Sequence, residues 1–265
     1  MNDKLRKRDT GGRAAFENGV LYTSSNISRS GRDAGDDFVD RLLRVKLQTV
    51  EKNLCGGVLV DLCCATGLHL ARFAAQPQRI GIDFSMPFLA AARTNAATQC
   101  VGSINFIAAD ARALPLQGGS VTTLYSLSSL YVVPDIHHVI AEIARVLHDG
   151  GRCILDLGNA QSINAYCVRN YYKELPQSHY LRVKDMQALL SANGLHLIEH
   201  RAFQLLPLWA GRPKWLWPLL HPAWKRVMAY TIRGRMLDEW LSSNLLFRRF
   251  AFRHLMVCEK RRIDD

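Results

Sequence analysis

Five short apolar runs constrain the fold of this chain more than any other feature. They are VLVDL (58–62), RIGID (79–83), SINFIAAD (103–110), SVTTLYSL (120–127) and RCILDLG (152–158). Each is bounded by turn-forming residues and separated from the next by helical or polar sequence, so they read as buried strands in strand–helix alternation. Parallel strands need crossover connections, and this alternation predicts an α/β fold: a mostly parallel, doubly wound sheet with helices on both faces. Such sheets bind ligands outside the carboxyl ends of their strands. The residues that fall there are Asp61, Asp83, Asp110, Ser126 and Asp156, of which four are acidic. A buried carboxylate is costly without partners, so this row predicts a ligand rich in hydrogen-bond donors.

The remaining pattern fills in the architecture. Residues 36–53 carry Phe38, Leu42, Leu43, Val45, Leu47 and Val50 at helical spacing, and LHLARFAAQ (68–76), SMPFLAAARTNAAT (85–98), IHHVIAEIARVL (136–147) and VKDMQALLSANG (183–194) also read as helices. Ser85 is placed as a helix cap. LHLIEHRAFQ (195–204) and FAFRHLMVCEK (250–260) alternate like strands and are expected to pair antiparallel as the sixth and seventh. The expected organisation is an arm and lead helix (1–53), a ligand-binding core (54–204), a helical insert that caps a substrate (205–247), and a last strand with a basic tail (248–265).

Composition narrows the class. Hydrophobic residues make up 48% of the 265, enough for a sizeable core. The net charge is +11, and residues 201–265 alone carry 13 Lys and Arg against 5 Asp and Glu. A basic region favours anionic partners, with a merely solvated face as the plain alternative. The seven cysteines show no C-x-x-C and no paired Cys/His spacing, which disfavours a zinc site and fits free thiols in a reducing compartment. No apolar run follows the basic first residues, and no 18-residue uncharged apolar stretch exists. The expected location is cytoplasmic, at most peripheral to a membrane.

The first strand leads to the sharpest question. Asp61 is followed by Leu62, Cys63, Cys64, Ala65, Thr66 and Gly67, and then by a helix. Small residues let a ligand approach the backbone, and a helix N-terminus offers free N–H groups. Asp83 lies twenty-two residues further on, at the end of the second strand, where a carboxylate accepts from ribose hydroxyls; Asp110 lies where a base would rest. Together these describe a nucleoside site.

On these motifs the chain resembles the class I S-adenosylmethionine-dependent methyltransferases. The family's acidic-x-Gly-x-Gly-x-Gly appears as Asp61-Leu62-Cys63-Cys64-Ala65-Thr66-Gly67, so Cys63 and Ala65 stand for two glycines. The strand-two acid is Asp83 in Gly81-Ile82-Asp83-Phe84-Ser85, the third motif is Asp110-Ala111 before Leu114-Pro115-Leu116, and 142–152 reads EIARVLHDGGR, close to the family's E..RVLKPGG. The resemblance covers about 54–204 and implies the seven-stranded sheet of that class. It implies S-adenosyl-L-methionine as cofactor and S-adenosyl-L-homocysteine as product. Asp83 would hold the ribose, Asp110 and Ala111 the adenine with Phe84 beside it, and Asp61 the methionine end. The turn from Cys63 through Cys64, Ala65 and Thr66 to Gly67 would line that end, Ser126 and Leu127 would flank the sulfonium, and Tyr22 would close over the site. An alanine at 65 is tolerable where φ is negative, and Cys63 is expected to behave likewise, with Cys64 in the core.

The acceptor side is less legible. Tyr131 and His138 are the candidate catalytic groups; Asn159, His179, Tyr180, Trp209 and Trp217 are the candidate substrate contacts. All five tryptophans lie in 205–247, where Trp and Leu mixed with Lys and Arg suit an apolar or anionic acceptor or a membrane surface, or simply a packed subdomain. Nucleic acid is disfavoured, since no recognised RNA module is present. The expected activity is O-methylation of a small molecule (a secondary metabolite, sugar or lipid-linked acceptor), with N- or C-methylation, a nicotinamide-dinucleotide oxidoreductase and a non-catalytic scaffold as alternatives. The oxidoreductase reading suffers from the lack of G-x-G-x-x-G.

Overall fold

The computed structural model describes residues 37–98, 103–171, 179–207, 214–221 and 223–261. The candidates Tyr22 and Trp209 lie outside them. Helix α1 (Asp37–Lys52) precedes β1 (Val58–Leu62); α2 (Leu68–Ala71), β2 (Gln78–Asp83), α3 (Met86–Thr98), β3 (Asn105–Ala108) and β4 (Val121–Ser126) follow. Then come α4 (Ile136–Val146), β5 (Leu147–Gly158), α5 (Ile163–Tyr171), α6 (Val183–Ala192) and β6 (Leu195–Phe203). The region after β6 holds α7 (Trp217–Leu220), α8 (Ala223–Ala229), a small hairpin of β7 (Thr231–Ile232) and β8 (Arg235–Met236), α9 (Leu237–Ser243) and α10 (Leu245–Arg248), before β9 (Arg253–Lys260).

Seven strands form one sheet in the order β3-β2-β1-β4-β5-β9-β6. The first five are parallel; β9 runs antiparallel to both β5 and β6. This is the sheet that the strand–helix alternation and the resemblance predict. Strand periodicity sorts the side chains into two cores. Val60, Leu62, Leu124 and Leu155 face α4, which buries Ile136, Val139, Ile140 and Ile143 at the spacing of one helical face. Leu59, Tyr125, Ile154, Leu255 and Val257 face α1, which supplies Phe38, Leu42, Leu47 and Val50.

Three elements differ from the sequence reading. The helix expected over 68–76 stops at Ala71, because the chain tightens into i→i−3 turns, with Phe73 N donating to Leu70 O and Gln76 N to Phe73 O. Helix α5 has no strong apolar period: its buried side is Asn164, Ala165, Cys167 and Val168. The insert is not purely helical, since Arg233 (φ 48°) and Gly234 (φ 78°) both adopt the left-handed region that a two-residue hairpin turn demands.

The insert is tied to the sheet. Arg41 on α1 donates to Ala229 O at 2.7 Å and to Thr231 Oγ1 at 2.8 Å, so it clamps the insert to the lead helix. Asp238 is fully buried and accepts from the N–H groups of Gln204 (2.6 Å) and Leu205 (3.1 Å); burial pushes its carboxyl up to about 6. Its neighbour Glu239 is also buried and pairs with Arg201.

Candidate functional site

The turn after β1 is where the sequence reading needs its first correction. Cys63 (φ 63°), Ala65 (φ 46°) and Gly67 (φ 68°) all lie in the left-handed region, so the backbone keeps the shape of three alternating glycines although two have been replaced. Cys63 and Ala65 therefore carry strain that glycine would not, roughly 1 kcal/mol each. At Gly67 no replacement is possible without movement, because a Cβ would sit 2.7 Å from the Phe106 ring. Ala65→Gly is thus expected to raise the melting temperature by ~2 °C, the relieved strain exceeding the added unfolded-chain entropy; a lower melting temperature in a thermal scan would refute the strain.

Three N–H groups of the turn are engaged within the protein. Cys64 N donates to Ile82 O (3.0 Å), Ala65 N to Asp83 Oδ2 (2.9 Å) and Gly67 N to Cys64 O (2.9 Å). Helix α2 is only four residues long, shorter than the sequence reading expects. The Asp83 carboxylate is tied to this turn. Ser85 N donates to its Oδ1 at 2.9 Å, so two backbone groups orient the carboxylate while each oxygen keeps further accepting capacity. Burial pushes its pKa up, and the backbone donors oppose that.

Asp61 and Ser126 lie at the ends of the neighbouring strands. Asp61 is 2% exposed and its Oδ2 has no hydrogen-bond partner. Burial drives its pKa well above the usual carboxylate range, and Tyr125, its cross-strand neighbour, only partly offsets this. Ser126 is fully buried beside the Cys63 thiol, and its Oγ makes no hydrogen bond to an oxygen or nitrogen. Burial holds both the Cys63 and Cys64 thiols in the protonated form, and the Asp83 and Asp61 carboxylates reinforce this. Asp110 adds to the effect at Cys63, so three of the four strand-end acids act on that residue. Neither thiol is a nucleophile in this setting, and among the described residues no group of His, Cys, Asp or Glu is arranged to hold a metal ion.

The other residues of this half of the site take structural positions around it. Asp110 is gripped by Arg112 through Nε at 3.0 Å and Nη2 at 2.7 Å. Ala111 and Leu127 are buried, Phe84 is half-buried, and Cys64 is buried against Gly81, whose Cβ would come within 2.9 Å of its Sγ. Thr66 is buried, and its carbonyl accepts from Asn95 Nδ2 at 3.0 Å.

On the β4–β5 side the structure supplies a cluster that the sequence reading missed. Asp156, fully buried, accepts from Lys46 Nζ at 2.6 Å and from the N–H and Oγ–H of Ser128, both at 3.0 Å. Arg253 Nη1 lies 3.9 Å from the same carboxyl oxygen, and Arg253 Nη2 donates to Tyr131 OH at 3.1 Å. Lys46 and Arg253 are 3% and 5% exposed. Burial pushes the Asp156 pKa up, but Lys46 and Arg253 outweigh it and hold the group ionised below the usual range. Desolvation lowers the Lys46 pKa despite Asp156. Two polar atoms of the cluster remain without a hydrogen-bond partner: the acceptor Asp156 Oδ1 and the donor Arg253 Nη1. A signal did exist, since Lys46 occupies the inward stripe Phe38–Leu42–Lys46–Val50 at i, i+4 steps.

Tyr131 belongs to this cluster: its ring lies 4.4 Å from the Arg253 guanidinium carbon and near Tyr180 and Phe252. His179 joins it through the backbone, its N–H donating to Tyr131 O at 2.6 Å, and Tyr180 packs over Gly158. His138 does not join. Its side chain is 72% exposed and its Nδ1 bonds Asp135 at the start of α4. Asn159 is fully buried with its amide in use: Nδ2 donates to Arg249 O and Ala251 O, and Oδ1 accepts from Gln161 N. It fastens the end of β5 to the chain before β9 and has no hydrogen left for a substrate. Trp217 begins α7.

Residues 59–151 match the family model described as "Methyltransferase domain". A demethylmenaquinone methyltransferase of Lactococcus lactis is 33% identical over 117 residues, which cover 43% of this chain and 46% of that protein. The O-methyltransferase cnsE of Penicillium expansum is 29% identical over 188 residues, 68% of this chain and 67% of that one. The chain thus spans about half to two thirds of the length of these relatives. A solved structure of geranyl diphosphate C-methyltransferase from Streptomyces coelicolor, in complex with Mg2+, geranyl diphosphate and S-adenosyl-L-homocysteine, superposes with a TM-score of 0.57 at 17% identity, covering 83% of this chain and 78% of that one.

Proposed function

We propose that this chain, which has the class I S-adenosylmethionine-dependent methyltransferase fold and a methyltransferase domain over residues 59–151, transfers a methyl group from that cofactor to a hydroxyl oxygen of a small molecule. One observation carries the cofactor reading: a backbone-oriented Asp83 carboxylate stands beside two buried polar atoms that lack partners, Asp61 Oδ2 and Ser126 Oγ. These groups fit a nucleoside that carries both hydroxyls and an ammonium. Asp83 would accept from the ribose, Asp61 from the amino group of the methionine end, and Asp110 with Ala111 and Phe84 would border the base.

When bound, the cofactor supplies an electrophilic methyl on a sulfonium. The protein's part is to place the acceptor and manage its proton. A hydroxyl donates one hydrogen bond and accepts others, which suits the unpartnered pair Asp156 Oδ1 and Arg253 Nη1. The two cations around a single carboxylate leave the cluster with a positive excess that favours an acceptor oxygen as it loses its proton. This feature favours oxygen over carbon as the atom methylated, although the relatives named above include both kinds of enzyme.

A thermal-shift assay with S-adenosylmethionine, S-adenosylhomocysteine and the nicotinamide dinucleotide tests the reading. A saturating sulfur nucleoside is expected to raise the melting temperature by about 5–10 °C, and the dinucleotide should have no effect. A shift with the dinucleotide alone would favour an oxidoreductase, and no shift with any of the three would favour a scaffold.

A further inference from the structure

We infer that the outward face of residues 223–250 docks on an anionic lipid bilayer. This goes beyond the proposed activity and does not depend on it. Eight large apolar side chains there face solvent, five of them within residues 240–250: Trp240 (39% exposed), Leu245 (81%), Leu246 (72%), Phe247 (47%) and Phe250 (40%). Exposed apolar side chains grouped this closely mark an interaction surface.

Charge says what the surface meets. Arg226, Arg233, Arg235 and Arg249 are exposed in the same segment. Its two acids, Asp238 and Glu239, are both turned inward, one capping the chain at Gln204 and Leu205, the other paired with Arg201. The outward face therefore offers apolar groups and cations with no exposed carboxylate. Two of the arginines lie against the aromatic rings, Arg235 at 5.8 Å from Trp240 and Arg249 at 4.7 Å from Phe250. Apolar groups enter the headgroup boundary while flanking cations meet lipid phosphates.

A second copy fits poorly, because a two-fold contact would set this basic face against itself. No described helix is long and apolar enough to cross a membrane, and α10 has only four residues, so the segment lies on the surface. The patch also adjoins the acceptor side. Asn159, at the end of β5, bonds the carbonyls of Arg249 and Ala251, two residues before the Arg253 of the buried cluster. An amphiphilic acceptor in the bilayer would meet the protein at that edge.

Flotation of the full chain tests this, using vesicles of equal parts phosphatidylcholine and phosphatidylglycerol, and vesicles of phosphatidylcholine alone. The mixed vesicles are expected to carry the protein and the neutral ones far less. Leu245→Ser with Leu246→Ser should lower the partition coefficient at least tenfold, and Arg235→Gln with Arg249→Gln about 30-fold. Both leucines are solvent-exposed, so an unchanged circular-dichroism melt will show that the variant is folded. Three outcomes overturn the inference: no binding to mixed vesicles, undiminished binding by the double-serine variant, or a concentration-dependent dimer that this variant abolishes while vesicles recover nothing. None of these readouts requires cofactor or turnover, so the methyltransferase reading stands or falls separately.

Discussion

Asp83→Ala is expected to weaken S-adenosylhomocysteine binding by roughly two to four orders of magnitude in titration calorimetry. Hydrogen bonds to a charged group contribute about 1.5–3 kcal/mol each, and a ribose offers two hydroxyls to one carboxylate. The change also releases the N–H groups of Ala65 and Ser85, which now bond the two carboxylate oxygens at 2.9 Å. The turn from Cys63 to Gly67 then loses one of its ties to the end of β2, keeping the bond from Cys64 N to Ile82 O, so position and charge are weakened together. Asp83→Asn separates them. It keeps one accepting oxygen but turns its NH2 toward one of the two backbone donors, and its affinity should fall between wild type and alanine. Unchanged affinity in the alanine variant would remove Asp83 from the ribose role.

The second large effect falls on stability. Asp156→Ala leaves Lys46 and Arg253 buried without their shared carboxylate. Breaking a buried pair on one side costs about 3–5 kcal/mol, which for a chain of this size lowers the melting temperature by ~6–20 °C. Lys46→Met combined with Asp156→Leu should recover the part of that loss that comes from Lys46, because apolar replacements of a buried pair are often neutral, while Arg253 keeps its bond to Tyr131 OH. The pair of variants separates two roles. If the double variant regains stability and still binds S-adenosylhomocysteine but fails to methylate acceptors, the cluster serves the acceptor. If Asp156→Ala melts with wild type, the cluster is not the buried ion group described above.

What the sequence showed and what it hid follow from how each feature is encoded. β1, β2, β4 and β5 were readable because buried parallel strands are nearly continuous apolar runs, and α4 because Ile136, Val139, Ile140 and Ile143 repeat on one face. The acids at the strand ends stood out because Asp61 and Asp83 interrupt or close such runs. Helix α5 was hidden because Asn164 and Cys167 fill its inward positions, and neither registers as an apolar stripe. The left-handed shape of Cys63 and Ala65 opposes their own preference; tertiary bonds such as Ala65 N to Asp83 Oδ2 impose it. Asn159 was legible as a strand-end polar residue, but its use by Arg249 and Ala251, some ninety residues away, was not. The charge of Lys46 and Arg253 suggested solvent, while their positions, on an apolar helix stripe and in an apolar strand, put them inside.

The placement of β9 between β5 and β6 has a consequence for assembly. Both of those strands are made earlier in the chain; until residues 253–260 arrive, β5 pairs with β4 alone and β6 has no partner in the sheet. Until then the edge of β5 that β9 covers is open, and open edges invite pairing with other chains. Arg253, which starts the closing strand, also brings the second cation to Asp156. One late insertion therefore joins β6 to the sheet and completes the charged cluster. A chain that ends before Arg253 would carry the strand-end acids Asp61, Asp83 and Asp110 but would leave Asp156 without its second cation.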